Sequence, residues 1–585
     1  MANNLYSHHI FIFPFKWDVG LQKEAFSVRT DLKHLDENMK IKPSCSFEGL
    51  NKIKWQAFKF EIKSPKDFNE WNYFYPPVRD VLFAWGGNAE KTVRQYHIHK
   101  SDKKQHLELR ITLQPQHGCT PLHLEIEEIT LTFYETGVGF FGFHLNNYQH
   151  KTAEEVLKIN DFGRRIYPQF LGDQEKFSDA PKGVFLADSI SIYAGGVLLK
   201  EENFSSFDSL SGGHDNIVDA LTPAHIRAFL PDFLKFSRQN ASPTDIVIES
   251  LVDDRMFTIC WTGNTAWAKG LNASNYKNPK NEFAKLWHRL IFLDGKSPGL
   301  ANDLLLSTLN ENHTNPRWAD YGSLYGITRY SFVALTDEVD GKKLVLPHIQ
   351  SMYFQIALLC LLQRATMLRF SEEIALLVGK AQQRDYLEQA KNLYKKYLHF
   401  INKIYFREVT PHEQGIELYR MVQDKMEIPR DVESLKLEIA DFHQLLELES
   451  GNTQTQAMNT LTIIGSALLV PTIILGYYGV SVFPEMTNQA WFTYCWTPVI
   501  SGVGMFVGFG AAWLWVKFRA HEKMLRQIIA LVCISSVALV FIFSVLVPKW
   551  YCPSKPEDPI LQNIQQELHQ IKVNTDKNTQ SDSLH

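Results

Sequence analysis

The run Gly137-Val138-Gly139-Phe140-Phe141-Gly142 has the G-x-G-x-x-G spacing with which a glycine loop approaches a dinucleotide pyrophosphate. The loop needs a strand before it and a helix after it. Here aromatic residues stand where the helix should begin, so a β-hairpin turning at Glu135-Thr136-Gly137 is expected instead. His97 and His99 are two residues apart and face one side of a strand, the spacing of a metal chelate, and His8 adjoins His9. No third ligand accompanies either pair, so hydrogen-bonded core or surface histidines are expected. Asp253-Asp254-Arg255 suits a turn better than a ligand-facing loop. No H-E-x-x-H or Walker pattern occurs and no catalytic constellation is evident, so no enzyme is expected. The 7 cysteines contain no Cys-x-x-Cys pair, which speaks against a zinc site or a disulfide framework. A net charge of −4 gives no global basic field, so direct nucleic-acid binding is not expected.

The chemistry that remains is the passage of ions. On a helical period Met458, Leu461, Gly465, Leu469, Thr472, Gly476 and Gly479 share one face, with Ser481 just beyond. Small and weakly polar residues on a symmetry axis leave room for a pore, whereas in a bundle they allow close helix packing. Leu461 and Leu469 would form apolar rings, and such rings gate by dewetting. No Asp, Glu, Lys, Arg or His falls within this stretch, so proton coupling and voltage sensing lack their usual components.

The element that carries this face is apolar over residues 461–480, and 494–516 and 528–547 are alike. Each is about 20 residues, the length that spans a ~30 Å hydrocarbon core. Lys517, Arg519, Lys523 and Arg526 crowd the second link, and the first link, 481–493, has no Lys or Arg. The second link is therefore expected inside and the tail outside. Trp491, Tyr494, Trp550 and Tyr551 suit the outer interface. Cys495 and Cys552 should lie at similar depth there, as a bridge or as two thiols. The first residues carry no charged, apolar leader pattern, so the N-terminal bulk is expected in the cytosol.

Before the membrane, strands are expected at 9–13, 52–62, 106–112, 122–134 and 138–145, with a helix at 152–160. Further strands are expected at 184–193, 246–252, 256–261 and 326–335, and helices at 223–238 and 281–293. The apolar run 352–362 is too short to span and reads as a buried core helix. Pro347 suits a helix start, Ser371 another, and 386–405 and 429–450 have helical periods. Val432, Leu435, Ile439, Phe442 and Leu446 step by three and four, as a self-association seam or as a face packed on the chain's own domain. A helix from 431 to 479 would run about 75 Å and act as a stalk. The expected fold class is an α+β or α/β cytosolic domain, a stalk helix and C-terminal transmembrane helices. The expected divisions are a β-rich subdomain over residues 1–180, a mixed α/β subdomain over 181–346, a helical and stalk region over 347–456, a membrane region over 457–547 and a polar tail over 548–585.

Leu461-Thr462-Ile463-Ile464, Pro471 and Gly476-Tyr477-Tyr478-Gly479, with a long helix before them and a second span ending in basic residues, resemble the CorA family of divalent-cation channels. The resemblance covers about 350–526 and, before that, 129–146. It implies a homopentamer in a cell inner membrane with the first span lining the pore. The family's Gly-Met-Asn signature falls on Gly479, Val480 and Ser481, where only the glycine is kept. Loss of the amide removes the group associated with holding a hydrated cation, which weakens selection of Mg2+ as permeant ion; a constitutive transporter of magnesium or another divalent ion is the alternative on the same architecture. The third span is a further departure. The opening Ser7-His8-His9-Ile10-Phe11-Ile12-Phe13-Pro14-Phe15 resembles CorA-like effectors found beside type III CRISPR systems. That narrower resemblance implies gating by a nucleotide second messenger, a conjugate of S-adenosylmethionine and AMP. A membrane-anchored nucleotide-processing enzyme is the alternative of another class.

Overall fold

The computed structural model describes residues 4–19, 31–50, 53–83, 92–99, 106–115, 117–118, 120–167, 186–204, 224–236, 241–242, 244–251, 255–270, 275–295, 299–378, 386–441, 444, 458 and 563–572. The chain divides into two compact units, Met1–His443 and Gln444–His585. The divisions expected at 180 and 346 both fall inside the first unit, because one 14-stranded sheet takes strands from both sides of residue 180.

Three long strands form the spine of that sheet: β1 (Ser7–Val19), β5 (Leu122–Tyr134) and β6 (Val138–Asn147). They account for the strands expected at 9–13, 122–134 and 138–145. Every residue of β6 and the first nine of β1 are buried, so these strands are covered on both faces. By contrast β4 (Leu107–Thr112) alternates buried and half-buried, as a half-covered strand should. Between them in sequence lie β2 (Gln56–Ala57) and β3 (Val93–His99). The strand expected at 52–62 shrinks to β2, which pairs only with β3 and leaves both its residues exposed.

The remaining strands are β7 (Ser189–Ala194), β8 (Val197–Asn203), β9 (Leu234–Lys235), β10 (Ile246–Ser250), β11 (Phe257–Gly263), β12 (Thr314–Asn315), β13 (Leu324–Ile327) and β14 (Ser331–Thr336). Along its main path the sheet runs β12-β13-β14-β11-β1-β6-β5-β4-β7-β8. Pairing is antiparallel except for β11 with β14 and β9 with β10. β1 changes partner in mid-strand: Ser7–Ile12 pairs with β11 and Phe15–Val19 with β10. Pro14 falls in the gap between those two partners, which is how a central strand accommodates a residue with no N–H.

The hairpin at Glu135-Thr136-Gly137 is present, joining β5 to β6. Gly137 has φ +80°, and a Cβ there would lie 1.9 Å from the Arg369 guanidinium. Arg369 is fully buried. Its Nη1 donates to the carbonyls of Trp17, at 2.9 Å, and Gly137, its Nη2 to Asp18 at 2.6 Å and its Nε to Glu373 at 2.6 Å. One guanidinium thus ties β1 and the hairpin to the helix Met352–Val378.

That helix is the core of a helical layer and packs on β1, β6, Asp340–Gln350, Tyr386–Lys403 and Glu413–Lys425. Together with its predecessor it gives the one stretch among the described residues long and apolar enough to cross a membrane, Asp340–Leu377. The expectation of a buried core helix at 352–362 agrees with its packing, since 72% of the apolar window is buried within the chain. The three expected spans, 461–480, 494–516 and 528–547, lie outside the described residues.

Several local expectations are corrected. The helix expected at 223–238 is only Ala224–Arg227 before the chain turns into β9. The strand expected at 326–335 is the hairpin β13–β14, whose turn is held by a 2.6 Å bond between the Thr328 and Ser331 hydroxyls. Pro347 lies inside Asp340–Gln350, because Asp337 caps the backbone N–H groups of Val339 at 2.7 Å and Asp340 at 2.8 Å and starts the helix earlier. Ser371 starts nothing, because Met352–Val378 passes through it unbroken. The helix at 428–441 is present, but Val432, Leu435 and Ile439 are buried within the single chain. The first half of the seam is therefore covered within the single chain. Phe442 and Leu446 lie outside the described residues. In the second unit 563–572 is helical with every residue exposed.

Candidate functional site

Of the pore-lining residues expected from the sequence, Met458 is helical and 61% exposed. Leu461, Gly465, Leu469, Thr472, Gly476, Gly479 and Ser481, and likewise Cys495 and Cys552, lie outside the described residues.

The histidines singled out by the sequence that the structure describes are held by other side chains. His97 stacks on Phe58 with centroids 4.0 Å apart and meets Glu128 at 2.6 Å. His8 meets Asn146 at 2.7 Å, and His9 is held between Asn160 at 2.7 Å and Ser7 at 2.8 Å. Both are fully buried at the end of β1. Among the described residues no group of three or more His, Cys, Asp or Glu side chains could hold a metal ion.

Burial pulls the His9 pKa down to about 3, only partly opposed by its bond to Asn160, and burial lowers His8 as well. The unfolded chain takes up these protons near pH ~6.5, whereas folded His9 stays neutral until about pH 3. The stability is fully present above the unfolded pKa and is lost as pH falls toward the folded one. We expect the denaturant midpoint to fall with acid across this window, and the fall to be shallower in His9→Gln. An unchanged slope in that variant would contradict this.

A constellation with binding character lies elsewhere, around a cavity of about 470 Å³. Its cations are Arg164, Arg255, Arg329 and Lys425, its carboxylate is Asp294, and its aromatic rings are Phe292 and Tyr330. Each arrives on a separately anchored element. Arg164 caps the helix Ala153–Gly163, whose start is a capping box: Thr152 accepts from the Glu155 N–H, and Glu155 accepts from the Thr152 N–H. The helix Glu282–Phe292, capped by Asn281, brings Phe292 and His288. Arg329 and Tyr330 form the β13–β14 turn, and Arg255 immediately precedes Met256 and β11.

Lys425 ends the helix Glu413–Lys425. A buried amide and hydroxyl network locks that helix in place. Gln423 donates to Gln363 at 3.0 Å and to Tyr419 at 2.8 Å, and the Tyr419 hydroxyl donates to the Phe406 carbonyl at 2.6 Å. The network is satisfied across both helices, which gives the site a rigid wall.

The electrostatics of the cavity favour an anion. His288 and His313 are both held below their ordinary pKa by burial and stay neutral. Asp294 is pushed up by burial, and one of its oxygens already accepts the Gly299 N–H at 2.9 Å. Burial lowers the Lys425 pKa, opposed only by neighbouring Asp424. The Arg329 Nε is buried without a hydrogen-bond partner among the described residues. The Arg255 guanidinium lies 5.0 Å over the Tyr330 ring and that of Arg364 5.3 Å over the same ring. Arg164 is 3.8 Å from Asp161 and Arg329 2.9 Å from Glu427, so part of this charge is already paired; the remaining positive character suits a phosphate-bearing ligand, with Phe292 and Tyr330 as apolar surfaces for a base.

Of these residues the sequence singled out only Arg255, as a turn residue. Arg164, Arg329 and Lys425 belong to no motif. The chain matches no protein-family model and no curated protein.

Proposed function

We propose that this chain is a CorA-like homopentameric channel of a cell inner membrane, with the unit Met1–His443 on the cytoplasmic side as its ligand sensor. The ligand is a nucleotide anion, and the CRISPR-associated conjugate of S-adenosylmethionine and AMP is the messenger of that class that the sequence resemblance implies. The protein acts by binding and opening and has no catalytic role. The observation that carries this reading is the basic cavity of about 470 Å³, which lies in the range typical of small-molecule sites. A ligand shifts a channel only by binding one state better than the other, and a site on separately anchored elements provides such a difference.

The direct test is calorimetric titration of the full-length protein in detergent with ATP, S-adenosylmethionine and their conjugate. Saturable binding of a phosphate-bearing compound, lost at high salt, is expected. Absence of binding by all three would overturn the reading. In the pore, Leu469→Ser is expected to hydrate the apolar constriction and conduct without ligand, read as dye-reported cation leak from liposomes. A variant as tight as the unmodified protein would remove Leu469 from the gate.

A further inference from the structure

Arg329 has two tasks. It lines the basic cavity, and its Nη1 also donates to Glu427 Oε2 at 2.9 Å. Glu427 is the joint between the helices Glu413–Lys425 and 428–441. Its φ of +59° is left-handed, a conformation that a non-glycine residue adopts only when its surroundings enforce it. The enforcement is visible. Met426 and Ile428 on either side are fully buried. The Glu427 carboxylate accepts from Arg430 at 2.9 and 2.7 Å as well as from Arg329. The backbone adds Glu427 N–H to the Asp424 carbonyl at 3.1 Å and Asp431 N–H to the Glu427 carbonyl at 3.0 Å.

We infer that the Arg329–Glu427 ion pair is a latch through which occupancy of the cavity is passed to the helix 428–441. An anion in the cavity offers Arg329 a second partner, in competition with Glu427. It also attracts Lys425, two residues before the joint on the same wall. Both effects act on the one strained turn. The latch weakens as the site fills, and the joint then relaxes toward ordinary backbone angles. Residue 428 begins the helix whose chain leads on toward the stretch at 461–480, so this is where a binding event would first reach it. The inference rests on the anion-site reading above.

Glu427 is not among the residues lining the cavity, so Glu427→Gln removes the latch and leaves the site. Glu417→Gln is the control. It removes the same charge from the helix that leads into the joint, but its partners are Arg317 and Asn315. ATP is the probe, with calorimetry and backbone hydrogen exchange over 428–441 as readouts on the full-length protein. Expected are binding about threefold to fivefold tighter in Glu427→Gln, as suits one partly exposed ion pair, and faster exchange at 428–441 even without ATP. Glu417→Gln should show neither change. Equal affinity and equal exchange in both variants, with the unmodified protein still binding ATP, would overturn the latch while leaving the site intact. A shift of the same size in both variants would overturn it too, since a general loss of negative charge then explains the gain. Failure of the unmodified protein to bind ATP would overturn the anion site itself and the latch with it.

Discussion

Replacing Arg369 with methionine is expected to lower the unfolding free energy of the first unit by about 3–5 kcal/mol. The guanidinium is fully buried and surrounded by four acceptors on three elements. Methionine fills much of the volume but leaves the Asp18 and Glu373 carboxylates facing each other without their shared cation. It also removes the guanidinium donor from the Trp17 and Gly137 carbonyls, of which Gly137 keeps the Trp17 N–H at 2.8 Å. Buried groups stripped of one partner bear their full desolvation cost. Arg369→Lys keeps the charge but cannot reach four acceptors on one planar fork, so its loss should be intermediate. Urea titration of the full-length protein, followed by tryptophan fluorescence, checks both. A loss under about 1 kcal/mol in Arg369→Met would mean that this network does not hold β1 to the helical layer.

Lys425→Glu is expected to weaken nucleotide binding by about 100-fold, ~2.8 kcal/mol, and to leave folding intact. Lys425 lines the cavity but makes no hydrogen bond or ion pair among the described residues. Its removal therefore strands no partner. Reversing its charge exchanges an attraction for a repulsion in a partly desolvated site. An unchanged midpoint in urea with the expected loss of ATP affinity would place Lys425 at the anion. Unchanged affinity would move the anion elsewhere in the cavity or out of it.

Where local pattern and tertiary demand agree, the sequence reveals the fold. The stretch 152–160 announces a helix and Glu135-Thr136-Gly137 announces a hairpin between two apolar runs, and both are present, the helix opened by a Thr152–Glu155 capping box. The β13–β14 turn escaped because Thr328-Arg329-Tyr330 contains neither glycine nor proline. It is held by the Thr328–Ser331 side-chain bond, which composition does not advertise. Val432, Leu435 and Ile439 show a periodicity that is real, but period alone cannot say whether such a face meets a second copy or its own unit. The cavity was invisible for a different reason. Arg164, Arg255, Arg329 and Lys425 are separated by at least several tens of residues and converge only through the sheet and the helical layer.

The claim that this is a channel opened by a nucleotide anion is tested most directly by cation flux from liposomes holding the unmodified, full-length protein. The S-adenosylmethionine–AMP conjugate would be added to the face that carries Met1–His443. No flux before addition, a rapid rise after it and no rise in Lys425→Glu are expected. Steady magnesium flux without any ligand, unchanged by the conjugate, would contradict the claim and return the chain to the constitutive transporters.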